Sequence, residues 1–174
     1  LKNLFVDEMG MTKIKTERLV VKKLVQADKE RLVSLIGDFR VSKTLSKVPY
    51  PYTLEDADEW LEKSHNQKFN LSIFLNHNLI GGIGLTPAED DFYELGYWLG
   101  VDYWGRGYAT ESVMELLNYA KSNIPCEKFK ANVFKENVAS AKVLEKNGFK
   151  RVEDKEVFSI SRRENVLSVN YEYR

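Results

Sequence analysis

The chain has 174 residues, enough for one domain with a substantial core, and its 43% hydrophobic and 30% charged content exclude a disordered chain. Formal net charge is zero, so the basic excess of a nucleic-acid binder is missing, and no apolar run is long enough to span a membrane as a helix. One cysteine and two histidines leave no intrachain disulfide and no metal-ligand spacing. No metal, nucleic acid or membrane partner is therefore expected, and a reduced, cytoplasmic setting is. Cys126 follows Pro125 in an expected loop and lacks the partner base that would mark a nucleophile. Lys121, Lys128 and Lys130 read as a solvated face.

Leu1–Gly10 precede Met11, share no pattern with the rest of the chain and do not resemble a signal peptide. They are set apart as an N-terminal extension or expression remnant, leaving residues 11–174 as one domain. Leu19–Leu24 predicts a first strand and Ala27–Ile36 a helix, with Asp28 favourably near its positive end. Gly37–Pro51 is irregular, with a short helix near Val41–Leu45, and the Pro49-Tyr50-Pro51-Tyr52 run breaks structure. Thr53 can cap a helix over Leu54–Lys68, with Asp56 at the capping-box position. Leu71–Leu75 and Leu79–Leu85 predict a hairpin turning at Asn76, His77 and Asn78.

Glu94–Val101 then predicts a strand that runs into Gly105-Arg106-Gly107. Ala109, Val113, Leu116, Leu117 and Ala120 come next at helical spacing. A glycine turn at a helix N-terminus leaves backbone N–H groups facing outward at the positive end of the helix dipole, a place for phosphate, and Arg106 adds a forked cation. A Walker loop is ruled out because no Gly-Lys-Ser/Thr is present. A dinucleotide fingerprint lacks its third small residue, since Thr110 and Glu111 fill that region, and the turn lies past mid-chain. Phe129–Phe134 predicts a strand, Val138–Asn147 a helix capped by Asn137 and closed by Gly148, and a further strand starts at Phe149. Val166–Tyr173 predicts the last strand. Three antiparallel strands leading into a strand–helix–strand crossover give a single α/β domain: a mixed, mostly antiparallel sheet with helices on both faces.

Three segments resemble, in the right order, the GNAT superfamily of acetyl-CoA-dependent N-acetyltransferases. WGRGYA, Trp104–Ala109, resembles the family's pyrophosphate loop; the Asn137–Phe149 segment resembles its second signature; TERLVVKKL, Thr16–Leu24, resembles the opening strand of the ribosomal-protein N-terminal acetyltransferase (Rim-type) branch. The resemblance implies two diverging central parallel strands, here Glu94–Val101 and Phe129–Phe134, with the acetyl-CoA arm lying in the gap as if it were another strand. It implies acetyl-CoA contacts at Leu99 and Val101, at Trp104, Gly105 and Arg106, at Gly107, Tyr108 and Ala109, and at Asn137 and Ser140. Trp104 departs from the Gln or Arg that the pattern most often has, and Leu144 stands where many members carry a tyrosine acid. That leaves Ser140 as the catalytic candidate on its helix.

Glu94 is the candidate general base for the incoming ammonium. Glu17, Glu89, Asp90 and Asp91 are weaker rivals, and Tyr50, Tyr52, Tyr97 and Trp98 read as core or cleft wall. The implied reaction is acetyl transfer from acetyl-CoA to a primary amine, a protein N-terminus or a small molecule, by direct attack in a ternary complex. Gly37–Tyr52 is expected to line the acceptor side. The rival readings are a catalytically silent acyl-CoA sensor and, more distantly, a nucleotide-binding oxidoreductase.

Overall fold

A computed structural model describes residues 4–6, 12–125 and 127–174; Cys126 and, apart from Leu4–Val6, the Leu1–Gly10 lead lie outside the described residues. The elements in chain order are strands β1 (Leu4–Val6), β2 (Thr12–Lys15) and β3 (Val20–Lys22), then helices α1 (Lys29–Ile36), α2 (Phe39–Ser42) and α3 (Leu54–Asn66). Next come the antiparallel strands β4 (Asn70–Leu75), β5 (Asn78–Pro87) and β6 (Tyr93–Leu99). Helix α4 (Tyr108–Asn123), β7 (Phe129–Phe134), α5 (Val138–Lys146), β8 (Lys150–Ser159) and β9 (Glu164–Tyr173) complete the chain. These strands form one sheet in the order β1-β2-β3-β4-β5-β6-β7-β9-β8, and β6–β7 is its parallel pair.

Local chemistry sets the boundaries. Asn76 and His77 both take positive φ, 47° and 68°, and Leu75 pairs with Asn78, which makes the two-residue hairpin turn. Thr53 Oγ1 accepts from the Asp56 N–H at 3.2 Å while Asp56 Oδ2 accepts from the Thr53 N–H at 2.7 Å, the reciprocal cap of α3. At the other end of α3 the buried Lys23 ammonium donates to the carbonyls of Ser64, Gln67 and Asn70. Ser64 lies in the last turn of the helix, Gln67 is its C-cap in extended backbone and Asn70 opens β4, so the ammonium ties the helix end to the strand and α3 stops at Asn66 rather than Lys68. Helix α5 begins where Asn137 Oδ1 accepts from the Ser140 N–H at 3.1 Å. It closes at Gly148, φ +86°, with Phe149 N–H donating to Leu144 O and Gly148 N–H to Glu145 O.

Apolar residues gather on both faces of the sheet. Val113, Leu116, Leu117 and Ala120 of α4, with Leu144 of α5, pack on Leu95, Leu99, Phe129 and Ala131 on one face. Leu32 and Ile36 of α1, Val41 of α2, and Ala57 and Leu61 of α3 pack on Phe74 and Leu79 on the other.

Several expected boundaries move. The segment expected to open the first helix is a 3-10 turn at Gln26–Asp28, because Asp28 Oδ2 accepts from the Val25 N–H at 3.2 Å and closes a tight turn there. The short helix forms at Phe39–Ser42, capped by Asp38, rather than over Val41–Leu45. The strand expected to reach Val101 ends at Leu99, and Val101–Tyr103 is a 3-10 turn. Strands β1 and β2 add an edge not anticipated: β2 has Ile14 as its one fully buried residue, too little pattern to read, and Leu4–Val6 pairs antiparallel with it.

Candidate active site

Alternation along β6 divides its side chains between the two faces. Leu95 and Leu99 enter the core beneath α4 and α5, and Tyr97 packs against it. Glu94, Gly96 and Trp98 face the other way, and Trp98 packs against the α1–α3 cluster. The ladder between β6 and β7 consists of Tyr93↔Phe129 and Glu94↔Lys130. Beyond Glu94 the two strands separate, so from Glu94 to Leu99, about 17 Å of strand, β6 presents an edge with no β7 partner.

The Gly-x-Gly loop sits at the far end of that open edge. Gly105 and Gly107 have φ of +70° and +80°, and Gly107 is the N-cap of α4 with no side chain capping the helix. Glycine is required here for backbone conformation, and the first N–H groups of the helix have no intrahelical acceptor. The Trp104 indole, where the family pattern favours Gln or Arg, folds back and donates its Nε1–H to Leu99 O at 2.8 Å. Leu99 is thus a core residue whose carbonyl anchors the loop. Val101 is half-buried against the α1–α3 cluster, Ala109 packs partly against the α4–α5 core, and Tyr108 is buried in it.

An unanticipated hook holds this loop from behind. Arg18, in the turn before β3, donates Nη1–H to Arg106 O at 2.9 Å and lies 4.6 Å from the Tyr108 ring centroid. Its Nε pairs with Glu111 Oε2 at 2.7 Å, its backbone N–H donates to Glu111 Oε1 at 2.8 Å, and the Thr16 hydroxyl donates to the same oxygen. Burial pushes the Glu111 carboxyl pKa up, but these donors and the Arg18 charge outweigh it and hold it below its ordinary 4.5.

The other end of the open edge leads into a cavity of about 550 Å³. Glu94, Tyr97, Asn137 and Ser140 all line it. Of the Gly37–Tyr52 segment, Thr44–Pro49 and Tyr52 line it too, together with Asp56, Glu59, Trp60 and Lys63 of α3. Glu94 Oε1 accepts from Asn132 Nδ2 at 2.8 Å, and Lys47 Nζ lies 3.8 Å from Oε2. Asn132 Oδ1 is buried without a partner, as is Oδ1 of Asn170, its register neighbour on β9. Ser140 Oγ lies 2.8 Å from Tyr97 Oη, and Tyr97 Oη–H reaches Ser140 O at 2.9 Å. Burial pushes the Tyr97 phenol well above its ordinary 10, against the smaller opposing pull of the Ser140 bond. The cavity therefore joins a carboxylate on one face of β6 to a hydroxyl pair on the other.

The weaker rivals for a base are not brought there. Glu17 is exposed in the turn before β3, Glu89–Asp91 form a 3-10 turn before β6, and none of them lines the cavity. Tyr50 is exposed and packs at a tilt against Phe39, centroids 4.8 Å apart, also off the cavity. Sequence reading passes over Asn132, Lys47, Tyr97 as a polar group, and the Arg18–Glu111 pair. Asn132 carries a usable signal: a polar residue amid the apolar Phe129–Phe134 strand.

A splayed parallel pair with an uncapped helix at one end, and at the other a cavity holding a carboxylate and a hydroxyl pair, is the architecture of an acyltransferase. A family model described as the acetyltransferase (GNAT) domain matches residues 18–150, and the chain belongs to that family of N-acetyltransferases. It is 26% identical over 149 residues to p20, an uncharacterized N-acetyltransferase of Bacillus licheniformis, covering 81% of this chain and 84% of that one. The crystal structure of a GNAT-family acetyltransferase from Bacillus anthracis superposes with a TM-score of 0.82 at 25% identity, covering 92% of this chain and 97% of that one. The microcin C7 self-immunity acetyltransferase MccE, solved with acetyl-CoA and AMP, shares the fold at a TM-score of 0.75 and 18% identity, over 90% of this chain and 92% of that one.

Proposed function

We propose that this acetyltransferase moves the acetyl group of acetyl-CoA onto the primary amine of an acceptor bound in the cavity, by direct attack within a ternary complex. The observation that carries the reading is the open β6 edge, which links the uncapped N-terminus of α4 to a cavity holding Glu94 and Ser140. The residues fit acetyl-CoA on the chain's own terms. Left-handed glycines and unpaired N–H groups at α4, with Arg106 beside them, suit a pyrophosphate. The unpaired edge of β6 suits a peptide-like arm. MccE, of the same fold, was crystallised with this molecule.

Acetyl-CoA supplies a thioester whose acyl carbon is open to attack. Glu94, oriented by Asn132, takes one proton from the incoming ammonium and passes it to solvent. As the N–C bond forms the C–S bond breaks, and the second N–H proton ends on the leaving sulfur. Ser140 Oγ provides a hydrogen bond for the negative charge growing there. The Tyr97 hydroxyl, which donates to Ser140 O at 2.9 Å and lies 2.8 Å from Ser140 Oγ, fixes the serine.

The deciding experiment is thiol release from acetyl-CoA across a panel of primary amines and N-terminal peptides. Amine-dependent release with stoichiometric N-acetyl product is the expected result. Tight acetyl-CoA binding without release on any amine would instead identify a silent acyl-CoA sensor.

A further inference from the structure

Gly81, Gly82 and Gly84 lie in β5, and Gly96 lies in the neighbouring β6. Their surroundings differ. Gly82, opposite Trp98, has no room for a side chain: a Cβ would sit 2.5 Å from Trp98 Nε1. Gly84, opposite Gly96, is also closed, with Phe69 O 2.9 Å from the Cβ position. Gly81 is shut by Trp98 O at 2.2 Å. Gly96 is different. It is exposed, its φ is not positive, it lines the cavity, and a Cβ there would meet nothing within 4 Å.

Neither backbone conformation nor packing requires glycine at Gly96, and glycine inside a strand weakens it. What remains is the approach of a ligand to the strand face. Gly96 stands midway between Glu94 and Trp98 on that face, whose positions are about 13 Å apart along the strand. Tyr52 and Trp60 line the same cavity. The bare strand thus has a carboxylate at one end, an indole at the other and further aromatic rings in the lining of the cavity it faces.

We propose that Gly96 is the floor of the acceptor subsite, and that the acceptor is a small primary amine with a flat apolar body. Its ammonium meets Glu94, and its ring lies on Gly96 between Trp98 and the Tyr52–Trp60 wall. This rests on the acetyl-transfer reading and narrows its substrate. The cavity of about 550 Å³ has to hold both the thioester end and the acceptor, a volume suited to a small molecule. Aromatic side chains in the lining favour a planar ring, and Glu94 at one end of this strand face gives the ammonium its carboxylate.

The test compares wild type with Gly96→Ala and Gly96→Leu on three acceptor classes: 2-phenylethylamine and tyramine, butylamine, and tetrapeptides beginning with Ser or Ala. Thiol release is measured alongside saturation-transfer NMR of 2-phenylethylamine on the coenzyme A-loaded protein. Wild type should prefer the arylalkylamines. In Gly96→Leu the ratio of kcat/KM for 2-phenylethylamine over butylamine should fall by about tenfold or more, mainly through KM. Gly96→Ala should fold, since its Cβ touches nothing, and should shift the ratio in the same direction by less. The NMR signal should weaken in both variants. Preference of wild type for the tetrapeptides, or an unchanged ratio in both variants, would overturn the proposal. If wild type acetylates no amine but its NMR signal is lost in Gly96→Leu, the floor stands and the acetyl-transfer reading falls. If 2-phenylethylamine neither reacts nor binds, the floor falls, whatever other amines do.

Discussion

Glu94 is held from the neighbouring strand rather than from its own. The Asn132 amide fixes Oε1, while Lys47, largely exposed and 3.8 Å away, adds little orientation. Glu94→Gln should lower kcat by a factor of roughly 10² to 10⁴, with acetyl-CoA affinity nearly unchanged, and the loss should shrink at high pH where the amine is already neutral. Asn132→Ala should lower kcat less, and adding it to Glu94→Gln should cost nothing further, because the amide acts through the carboxylate. Additive losses in steady-state kinetics would separate the two residues. On the other face of β6, Ser140→Ala should reduce kcat by roughly ten- to a hundredfold, below the usual cost of an oxyanion donor, since a thiolate of ordinary pKa near 8.5 leaves tolerably unaided. Helix capping should survive, because Asn137 is untouched. Wild-type kcat in the alanine variant would make Ser140 an ordinary helix serine. The sequence singles out Glu94 and Ser140 beside recognisable motifs, and both line the cavity. Asn132 and Tyr97 are not legible in the sequence, because each acts across 38 to 43 residues of chain and has meaning only once the strands splay.

At the scale of elements, α4 depends on more than its glycines. Its N-terminal turn is tied to the β2–β3 turn through Arg18, which spans the Arg106 carbonyl, the Tyr108 ring and the buried Glu111 carboxylate. Arg18→Gln should loosen the loop, weaken acetyl-CoA binding and lower the melting temperature at neutral pH. The sign of the pH dependence comes from Glu111, whose folded pKa is depressed below 4.5. A carboxyl of that kind contributes stability above its unfolded value and loses it as pH falls through the folded one. The difference in melting temperature between wild type and Arg18→Gln should therefore be full above pH 4.5 and fade below it. A difference that grows on acidification would remove Glu111 from the account. The Gly-x-Gly turn is readable because positive φ selects glycine locally. The hook is not, since Thr16, Arg18 and Glu111 are brought together only by β2 and β3 folding against α4, and the opening segment by itself reads as a strand alone. Helices α3 and α5 are readable for the same local reason as the glycines: their caps are written within three residues.

For the whole molecule, the order of the central strands comes from the resemblance, while the periphery does not. The short β2, with Ile14 as its one fully buried residue, lacks the alternation that marks a strand, because it lies near the sheet edge, and the charged, almost wholly exposed edge strand β8 is announced only by the helix stop at Gly148 before it. The two apolar clusters meet the sheet on opposite faces, so a ligand that runs along β6 from the α4 turn to the cavity touches groups braced by both. Binding there should stabilise the whole fold. A ligand at a hundredfold excess over its Kd adds about 2.7 kcal/mol if it binds the folded state alone. For a chain of this length that is a rise of roughly 5 to 10 °C in melting temperature. Acetyl-CoA should produce such a rise in wild type, and Gly107→Val should abolish it. A branched residue at φ +80° is strained, and its Cβ would crowd the Arg18 guanidinium, 3.3 Å away, that holds the loop in place for phosphate. The strain also lowers the unliganded melting temperature, so the ligand-induced difference is the quantity to read. Arg106→Gln separates the two effects: the Arg106 carbonyl bond to Arg18 is a backbone contact and survives, so the unliganded melting temperature should hold while the rise shrinks. A full rise in both variants would place acetyl-CoA away from the α4 turn.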